Sequence, residues 1–364
     1  MQKNTTICFS NSCKVWGGGE QWQLSTAMKL SEKGYNIVTI THKDSPLSIK
    51  MKAEAFINLS LPIHNLSFLN PFKIYRIKQF LRSNQVHVII LGLPSDVKLS
   101  GIAARLAGVQ KIIYRRGVAL KIRNSLLNRY LIQYILTHII ANSHGTRQAI
   151  LENNKGLVHE NQVSVIFNGI DTRQLQHESI TPLYRKKEGE IVLGNAGRLS
   201  QEKGQHYLID VALILKKRGL PFTMLLAGEG PEENKLKQRV KDLGMESNIR
   251  FPGFVDNIKS FMKSLDIFLL SSKWEGFGYV IAEALFHEVP VIGFDISSVH
   301  DMIINDRSGY LVEPFDIKQF AEKIMTLSKD EKKRKDMGNY GKKLVEDNFS
   351  IDKSIKKLEN LFEK

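Results

Sequence analysis

Two carboxylates, Glu275 and Glu283, stand eight residues apart in Ser272-Lys273-Trp274-Glu275-Gly276-Phe277-Gly278-Tyr279-Val280-Ile281-Ala282-Glu283-Ala284. Glu275 falls in a loop after an apolar run and Glu283 in the helical segment that follows. At that spacing they cannot form a tight acid–base pair, but they can grip separate hydroxyl-bearing parts of one extended ligand. Gly276 and Gly278 let the backbone pass close to such a ligand. Taken alone, the segment also fits a satisfied buried acid and a helix cap. Upstream, Gly197, Arg198, Lys203 and Gly204 precede the helical run 205–217. Two cations before a helix N-terminus, with its dipole and free N–H groups, suit a diphosphate, although surface Arg and Lys beside a loop are common. A third stretch, Gly17-Gly18-Gly19-Glu20, joins an apolar run to a helix-like segment. It lacks both the Gly-Lys-Ser/Thr ending of a P-loop and the dinucleotide Gly-x-Gly-x-x-Gly, and by itself fits a plain tight turn equally well.

These residues need strands and helices to hold them. Apolar runs alternate with helical periodicity along the chain, which predicts parallel sheets with crossover helices. In the first half 5–9, 36–40, 87–91, 111–114 and 138–141 read as strands. After a polar, Lys-rich linker at 177–190 the second series is 191–194, 222–227, 249–251, 267–270 and 291–293. In such sheets ligands bind beyond the carboxyl ends of the strands, where the residues above fall. The turn Ala227-Gly228-Glu229-Gly230-Pro231-Glu232 reads as ordinary turn chemistry. With 364 residues and 42% hydrophobic composition, the chain is long enough for two cores. The fold class is α/β, two doubly wound Rossmann-like domains in succession. The expected divisions are 1–180, 181–345 and a C-terminal helix at 346–364 packing back toward the N-terminal domain.

The charge is unevenly placed. Residues 1–180 carry 22 bases against 9 acids, a net of +13 that leaves +2 for the remainder. Residues 97–151 contain no acid. A solubilising surface accounts for this, and so does a domain facing something anionic: phosphate, nucleic acid or anionic lipid. Arg115, Arg116, Lys121, Arg123 and Arg129, interleaved with Leu120, Ile122, Leu126, Leu127 and Tyr130, form a candidate basic amphipathic face for a membrane surface. The two cysteines, Cys8 and Cys13, are too few for a disulfide framework and read as reduced thiols of a cytoplasmic protein. The first ten residues lack a signal-peptide pattern, and the greasiest region, 130–141, is too short for the ~20 residues of a span.

Arg198 with Lys203, then the Glu-x7-Glu from Glu275 to Glu283 around Gly-Phe-Gly, resemble the retaining nucleotide-sugar glycosyltransferases of family 4, which have the GT-B fold. The resemblance extends to Gly17-Gly18-Gly19-Glu20, to the stretch 163–171 with Asn168-Gly169, and to 308–312, so it spans most of the chain. It implies that the donor lies mainly against the C-terminal domain, in the cleft between the two domains. Arg198 and Lys203 would hold the diphosphate, Glu283 the ribose and Glu275 the donor sugar. Backbone N–H groups at Gly276, Phe277 and Gly278 would face sugar or phosphate oxygens, with Gly253 and Phe254 near the base. Gly18 and Gly19 would bring N–H groups to the diphosphate or the reacting sugar from the N-terminal side. Fixed cations at the leaving diphosphate are the direct remedy for its developing charge. The chain has no Asp-x-Asp pair, so neither a required metal nor a cofactor is expected, and no residue is assigned as covalent nucleophile.

The chain departs from the family in one place. Members often carry a His in the loop after the fourth strand, where this sequence has Tyr114-Arg115-Arg116-Gly117. Arg115 or Arg116 either replaces that His or serves an anionic acceptor. His144 is a further acceptor-side candidate, although a place beside a helix cap is the simpler reading. The implied activity is transfer of a hexose, with retention, from a nucleotide sugar, UDP being preferred, to a lipid-linked or lipopolysaccharide-type envelope glycan. The enzyme would be cytoplasmic, peripheral on the inner face of the membrane. The rivals are a GT-B-fold nucleotide-sugar epimerase and a nucleic-acid-binding protein; nucleic acid is not expected as a partner because no recognised module is present and the Glu-x7-Glu would have no purpose.

Overall fold

The computed structural model describes residues 5–118, 122–152, 154–173, 181–296 and 298–363. Lys121 and Leu120 of the candidate basic face, and residues 177–180 of the linker, lie outside them. The chain divides into two compact units, one formed by Met1–Gly169 with Ile351–Lys364 and the other by Ile170–Ser350.

The first unit is built on a seven-stranded sheet of order β3-β2-β1-β4-β5-β6-β7, and every pairing in it is parallel. Its strands are β1 Thr6–Asn11, β2 Asn36–His42, β3 Ile57–Leu61, β4 Val86–Leu91, β5 Lys111–Arg116, β6 His138–Ala141 and β7 Val163–Val165. Every residue of β1 is buried, as expected for a central strand covered on both faces by crossover helices. Helix starts are written plainly: Ser45 and Asn70 each accept a backbone N–H with their side chains, and Pro46 and Pro71 follow them, the favoured cap-then-proline order. The closing helix Ile351–Glu363 belongs to this unit. It packs on helix Gly18–Glu32, with Lys33 Nζ 2.5 Å from Glu359 and Ser354 Oγ donating to the Phe167 carbonyl at 2.8 Å.

The second unit carries a six-stranded, all-parallel sheet of order β10-β9-β8-β11-β12-β13. Its strands are β8 Ile191–Ala196, β9 Phe222–Ala227, β10 Ile249–Gly253, β11 Ile267–Leu270, β12 Val291–Phe294 and β13 Gly309–Val312. Both sheets are doubly wound, as the periodicity predicts.

The ten predicted strands all exist, most of them one or two residues longer than read. Three more were not read as strands: β3, β7 and β13. The strand 111–114, read as fourth, is therefore β5, and it extends through Arg115 and Arg116. In each sheet the winding reverses once, between β1 and β4 and between β8 and β11. Those reversals open the crevices where doubly wound sheets take their ligands.

Candidate functional site

In the second unit the loops after four neighbouring strands meet at one sheet edge. Backbone bonds hold them in register: Gly197 N to Ala227 O at 3.0 Å, Leu199 N to Glu229 O at 2.9 Å, and Gly228 N to Gly253 O at 2.7 Å. The turn after β9 is more than ordinary turn chemistry. A Cβ on Gly228, whose φ is +125°, would lie 2.0 Å from the Gly197 carbonyl oxygen, and one on Gly230 would lie 2.2 Å from that of Leu199. Glycine is required because the two loops pack backbone to backbone.

The loop after β8 carries Arg198 and Lys203, and the loop after β11 carries Glu275. Lys203 Nζ donates to Glu275 Oε1 at 2.6 Å, and Ser272 Oγ donates to the same oxygen at 2.7 Å. Ser271 Oγ donates to the Lys203 carbonyl at 2.9 Å, and Lys273 N to the Glu202 carbonyl at 2.9 Å. The ion pair thus bridges the reversal point of the sheet. Buried amides brace it from below: Asn195 Nδ2 donates to Leu269 O at 2.8 Å, and Gln205 Nε2 to Arg198 O at 3.0 Å. Arg198 is exposed, and its guanidinium has no hydrogen bond or ion pair among the described residues. Glu202 ionises more easily than an ordinary Glu, first through a backbone N–H and Ser200, then through Arg198 and Lys203.

Gly278, with φ +79°, caps helix Tyr279–Phe286. The Ile281 N–H donates to the Gly278 carbonyl at 2.9 Å, which closes the first turn. Phe277 is buried against Tyr279 and Phe349, with ring centroids at 5.3 and 5.8 Å. Its side chain anchors the Gly276–Gly278 loop and leaves only backbone to meet a ligand. Glu283, half-buried on this helix, has no partner among the described residues, and desolvation pushes its carboxyl up to about 7. Gly253 closes β10 at φ +77°, and the Phe254 ring beyond it is 67% exposed, the state a stacking platform needs.

In the first unit Gly17 is the extended N-cap of helix Gly18–Glu32, and no side chain caps it. Glu20, in the first turn, is buried and accepts from Asn11 Nδ2 at 3.0 Å. A Cβ on Gly19 would sit 3.7 Å from Arg115 Nη1. Arg115 is buried: its guanidinium lies over the Trp22 ring at 4.4 Å, and its Nη2 donates to Asn168 Oδ1 at 2.8 Å. Arg116 is also buried, on the opposite face of β5 by strand alternation, 5.8 Å over the Tyr114 ring. These burials correct the outward basic face expected of Arg115 and Arg116, because β5 continues through both. His144 is exposed beside Ser143, whose Oγ accepts from Thr146 N at 3.0 Å, and its ring meets Phe167 at 5.4 Å. It stands beside the Ser143 cap.

The sequence reading missed Asp96. This fully buried carboxylate spans the first sheet's reversal point: Oδ2 accepts from Ser12 N at 3.2 Å and Leu93 N at 2.8 Å, while Oδ1 is buried without a partner among the described residues. Burial pushes its carboxyl up to about 7 against the lowering effect of Ser12 and Leu93. The signal was available, since Asp96 is the only acid between residues 55 and 151. Ser272 and Gln205, which brace the Glu275 and Arg198 loops, went unassigned as well.

Two doubly wound sheets whose reversal points carry polar clusters, one a Lys–Glu pair beside an unpaired Arg, define an enzyme of the GT-B class. The comparisons agree. Residues 16–174 match glycosyltransferase family 4, and residues 177–344 match the glycosyl transferases group 1. The capsular polysaccharide biosynthesis glycosyltransferase CapM of Staphylococcus aureus is 30% identical over 292 residues, 76% of each chain. The UDP-Gal:alpha-D-GlcNAc-diphosphoundecaprenol alpha-1,3-galactosyltransferase of Escherichia coli is 25% identical over 92% of this chain and 90% of its own. Anabaena HepE, crystallised in complex with UDP, superposes with a TM-score of 0.84 at 19% identity over 99% of this chain and 100% of that one. The chain belongs to glycosyltransferase family 4, a retaining family, and is a glycosyltransferase.

Proposed function

We propose that the protein transfers a sugar from a UDP-sugar, with retention of configuration, to a lipid-linked or lipopolysaccharide-type glycan of the cell envelope. The observation that carries the donor half is the Lys203–Glu275 pair at the reversal point of the second sheet, with the unpaired Arg198 in the same loop. In this reading Arg198 and Lys203 take the diphosphate and offset the charge that develops as UDP departs. Glu275 accepts from donor-sugar hydroxyls and Glu283 from the ribose. The Gly276–Gly278 backbone meets sugar or phosphate oxygens, and Phe254 stacks on the base. In the first unit Gly18 and Gly19 open helix Gly18–Glu32, and their first-turn N–H groups suit an anionic or sugar oxygen. Retention follows a front-face course in which the leaving phosphate oxygen takes the acceptor hydroxyl's proton, so no enzymic nucleophile and no metal are required.

UDP is the preferred nucleotide because HepE was crystallised with UDP and because the E. coli relative is named for a UDP-Gal donor. An envelope acceptor is supported by the relatives in capsule and diphosphoundecaprenol chemistry and by the basic first half of the chain. Among the described residues no helix is long and apolar enough to cross a membrane, so attachment to the inner face of the cytoplasmic membrane would be peripheral. A thermal-shift screen of UDP-, GDP- and ADP-sugars tests the donor, since a ligand bound only by the folded state raises its melting point. Stabilisation by UDP-sugars at lower concentration than by the others is expected. Equal or no response to UDP-sugars overturns the assignment.

A further inference from the structure

The first unit exposes large apolar side chains in a short stretch that the proposed chemistry does not use. Leu66, Leu69, Phe72 and Tyr75 are 69%, 68%, 79% and 58% exposed. They sit on the short 3-10 turn Ser67–Leu69 and the first turns of helix Pro71–Ser83. The placement is firmly held. Asn70 caps the helix, accepting from Lys73 N at 3.2 Å, and Lys73 Nζ ties the turn to the body through Pro62 O at 2.5 Å and Ser67 Oγ at 3.2 Å. The inner stripe, Ile74, Ile77 and Leu81, packs into the core, and helical periodicity therefore turns Phe72, Tyr75, Arg76, Gln79 and Arg82 outward. Arg76 and Arg82 are exposed on that outer face, and Arg82 Nη2 reaches the Leu106 carbonyl of the neighbouring helix at 3.3 Å.

Charge decides what covers this face. Between residues 55 and 95 there are four bases, Lys73, Arg76, Lys78 and Arg82, and no acid. An exposed cluster of this kind on a folded unit marks an interaction site. Four exposed apolar side chains in a stretch whose only charged residues are bases fit a surface that is itself anionic with an apolar layer beneath.

We propose that the face made by Leu66, Leu69, Phe72 and Tyr75 with Arg76 and Arg82 docks on an anionic phospholipid bilayer, its apolar side chains entering the boundary between headgroups and acyl chains. The proposal rests on the reading of a membrane-borne acceptor and adds helix Pro71–Ser83 to the expected basic face, of which Arg115 and Arg116 are buried while Arg123, Leu126, Arg129 and Tyr130 are exposed.

The full-length chain is sedimented with phosphatidylcholine vesicles and with vesicles that also contain phosphatidylglycerol. The unsubstituted protein is compared with a Leu69→Ser/Phe72→Ser double variant and an Arg76→Glu/Arg82→Glu double variant. The unsubstituted protein is expected to partition onto the anionic vesicles alone, and each variant to lose at least about tenfold of that partitioning, as the removal of two membrane signals implies. The UDP-induced thermal shift should be unchanged in both variants, since all four residues lie at the surface of the other unit. Unsubstituted protein that binds while both variants bind equally well overturns this face and leaves the membrane reading standing. Unsubstituted protein that binds neither vesicle overturns both. Lipid-independent self-association abolished by the Leu69→Ser/Phe72→Ser variant assigns the face to a second copy of the chain and overturns the proposal.

Discussion

Lys203 Nζ and Glu275 Oε1 lie 2.6 Å apart, joining the loops that leave β8 and β11, and the Glu275 side chain is only 8% exposed. The pair joins two residues to which the family resemblance assigns different parts of a ligand, the diphosphate to Lys203 and the donor sugar to Glu275. In the free enzyme Lys203 compensates Glu275, and Ser272 shares the same carboxylate oxygen. In the proposed donor site the other oxygen takes a donor hydroxyl, and Lys203 has two further N–H donors to offer the phosphate.

Substitution of either member is expected to be severe and the pair strongly coupled. Glu275→Ala and Lys203→Ala should each lower kcat/KM by about 10²–10³, the scale of losing a preorganised electrostatic contact. The double variant should fall short of the sum by ~1 kcal/mol or more, because each single change strands the other charge. Steady-state rates of UDP release for the four proteins complete the cycle, and simple additivity would show that the pair does not act as a unit.

Glu283 predicts a pH dependence of donor binding. Desolvation holds its carboxyl at about 7, whereas an unfolded Glu titrates near ~4.3. Ribose hydroxyls donate hydrogen bonds and so favour the charged form. UDP affinity should therefore rise as pH rises through about 7, and Glu283→Gln should remove that slope while binding more weakly at pH 8. Calorimetric titration of UDP at pH 6 and pH 8 with both proteins reads the effect.

Asp96 predicts a pH dependence of stability with the opposite sense. Its carboxyl is raised to about 7, with burial as the leading cause and nearby Glu20 adding to it. Between the unfolded carboxyl value and about 7 the folded state holds the extra proton, so this group's contribution to stability falls as pH rises across that window. Asp96→Asn keeps an acceptor for Ser12 N and Leu93 N and should flatten the slope. Asp96→Ala loses that acceptor and should cost ~1–3 kcal/mol. Melting points of the three proteins from pH 4.5 to pH 8 test both statements.

Two glycines of the donor edge should respond unequally. Gly228→Ala places a Cβ 2.0 Å from the Gly197 carbonyl oxygen, so the loop carrying Arg198 must move. Gly253→Ala, at φ +77°, meets nothing within 4 Å and bears only the left-handed backbone cost of roughly 1–2 kcal/mol. UDP binding should be lost in the first and largely kept in the second, as measured by the same calorimetry.

Much of this was legible in the chain. The central strands read clearly because both their faces are buried, giving unbroken apolar runs such as Phe222–Ala227 and Ile267–Leu270, which the structure reproduces to the residue. The missed strands were peripheral. In β3 only Leu61 is buried, β7 has three residues, and β13 is four residues on the sheet's edge. Without a two-sided core such segments look like loops. Arg115 and Arg116 misled for the converse reason: charge suggests surface, yet Trp22, Asn168 and Tyr114 house both guanidiniums. Supporting polar residues such as Asp96, Ser272 and Gln205 stayed silent because their meaning lies in partners distant in sequence.

The most direct test follows the anomeric proton of the transferred sugar by NMR, with a UDP-sugar selected by the thermal screen and an envelope glycolipid extract. UDP is expected to be released one for one with a glycan that keeps the donor's anomeric configuration, with no change on adding EDTA and with turnover by Glu275→Ala slowed by about 10² or more. An inverted linkage, a free or epimerised sugar with no larger glycan, or full activity in Glu275→Ala would contradict it.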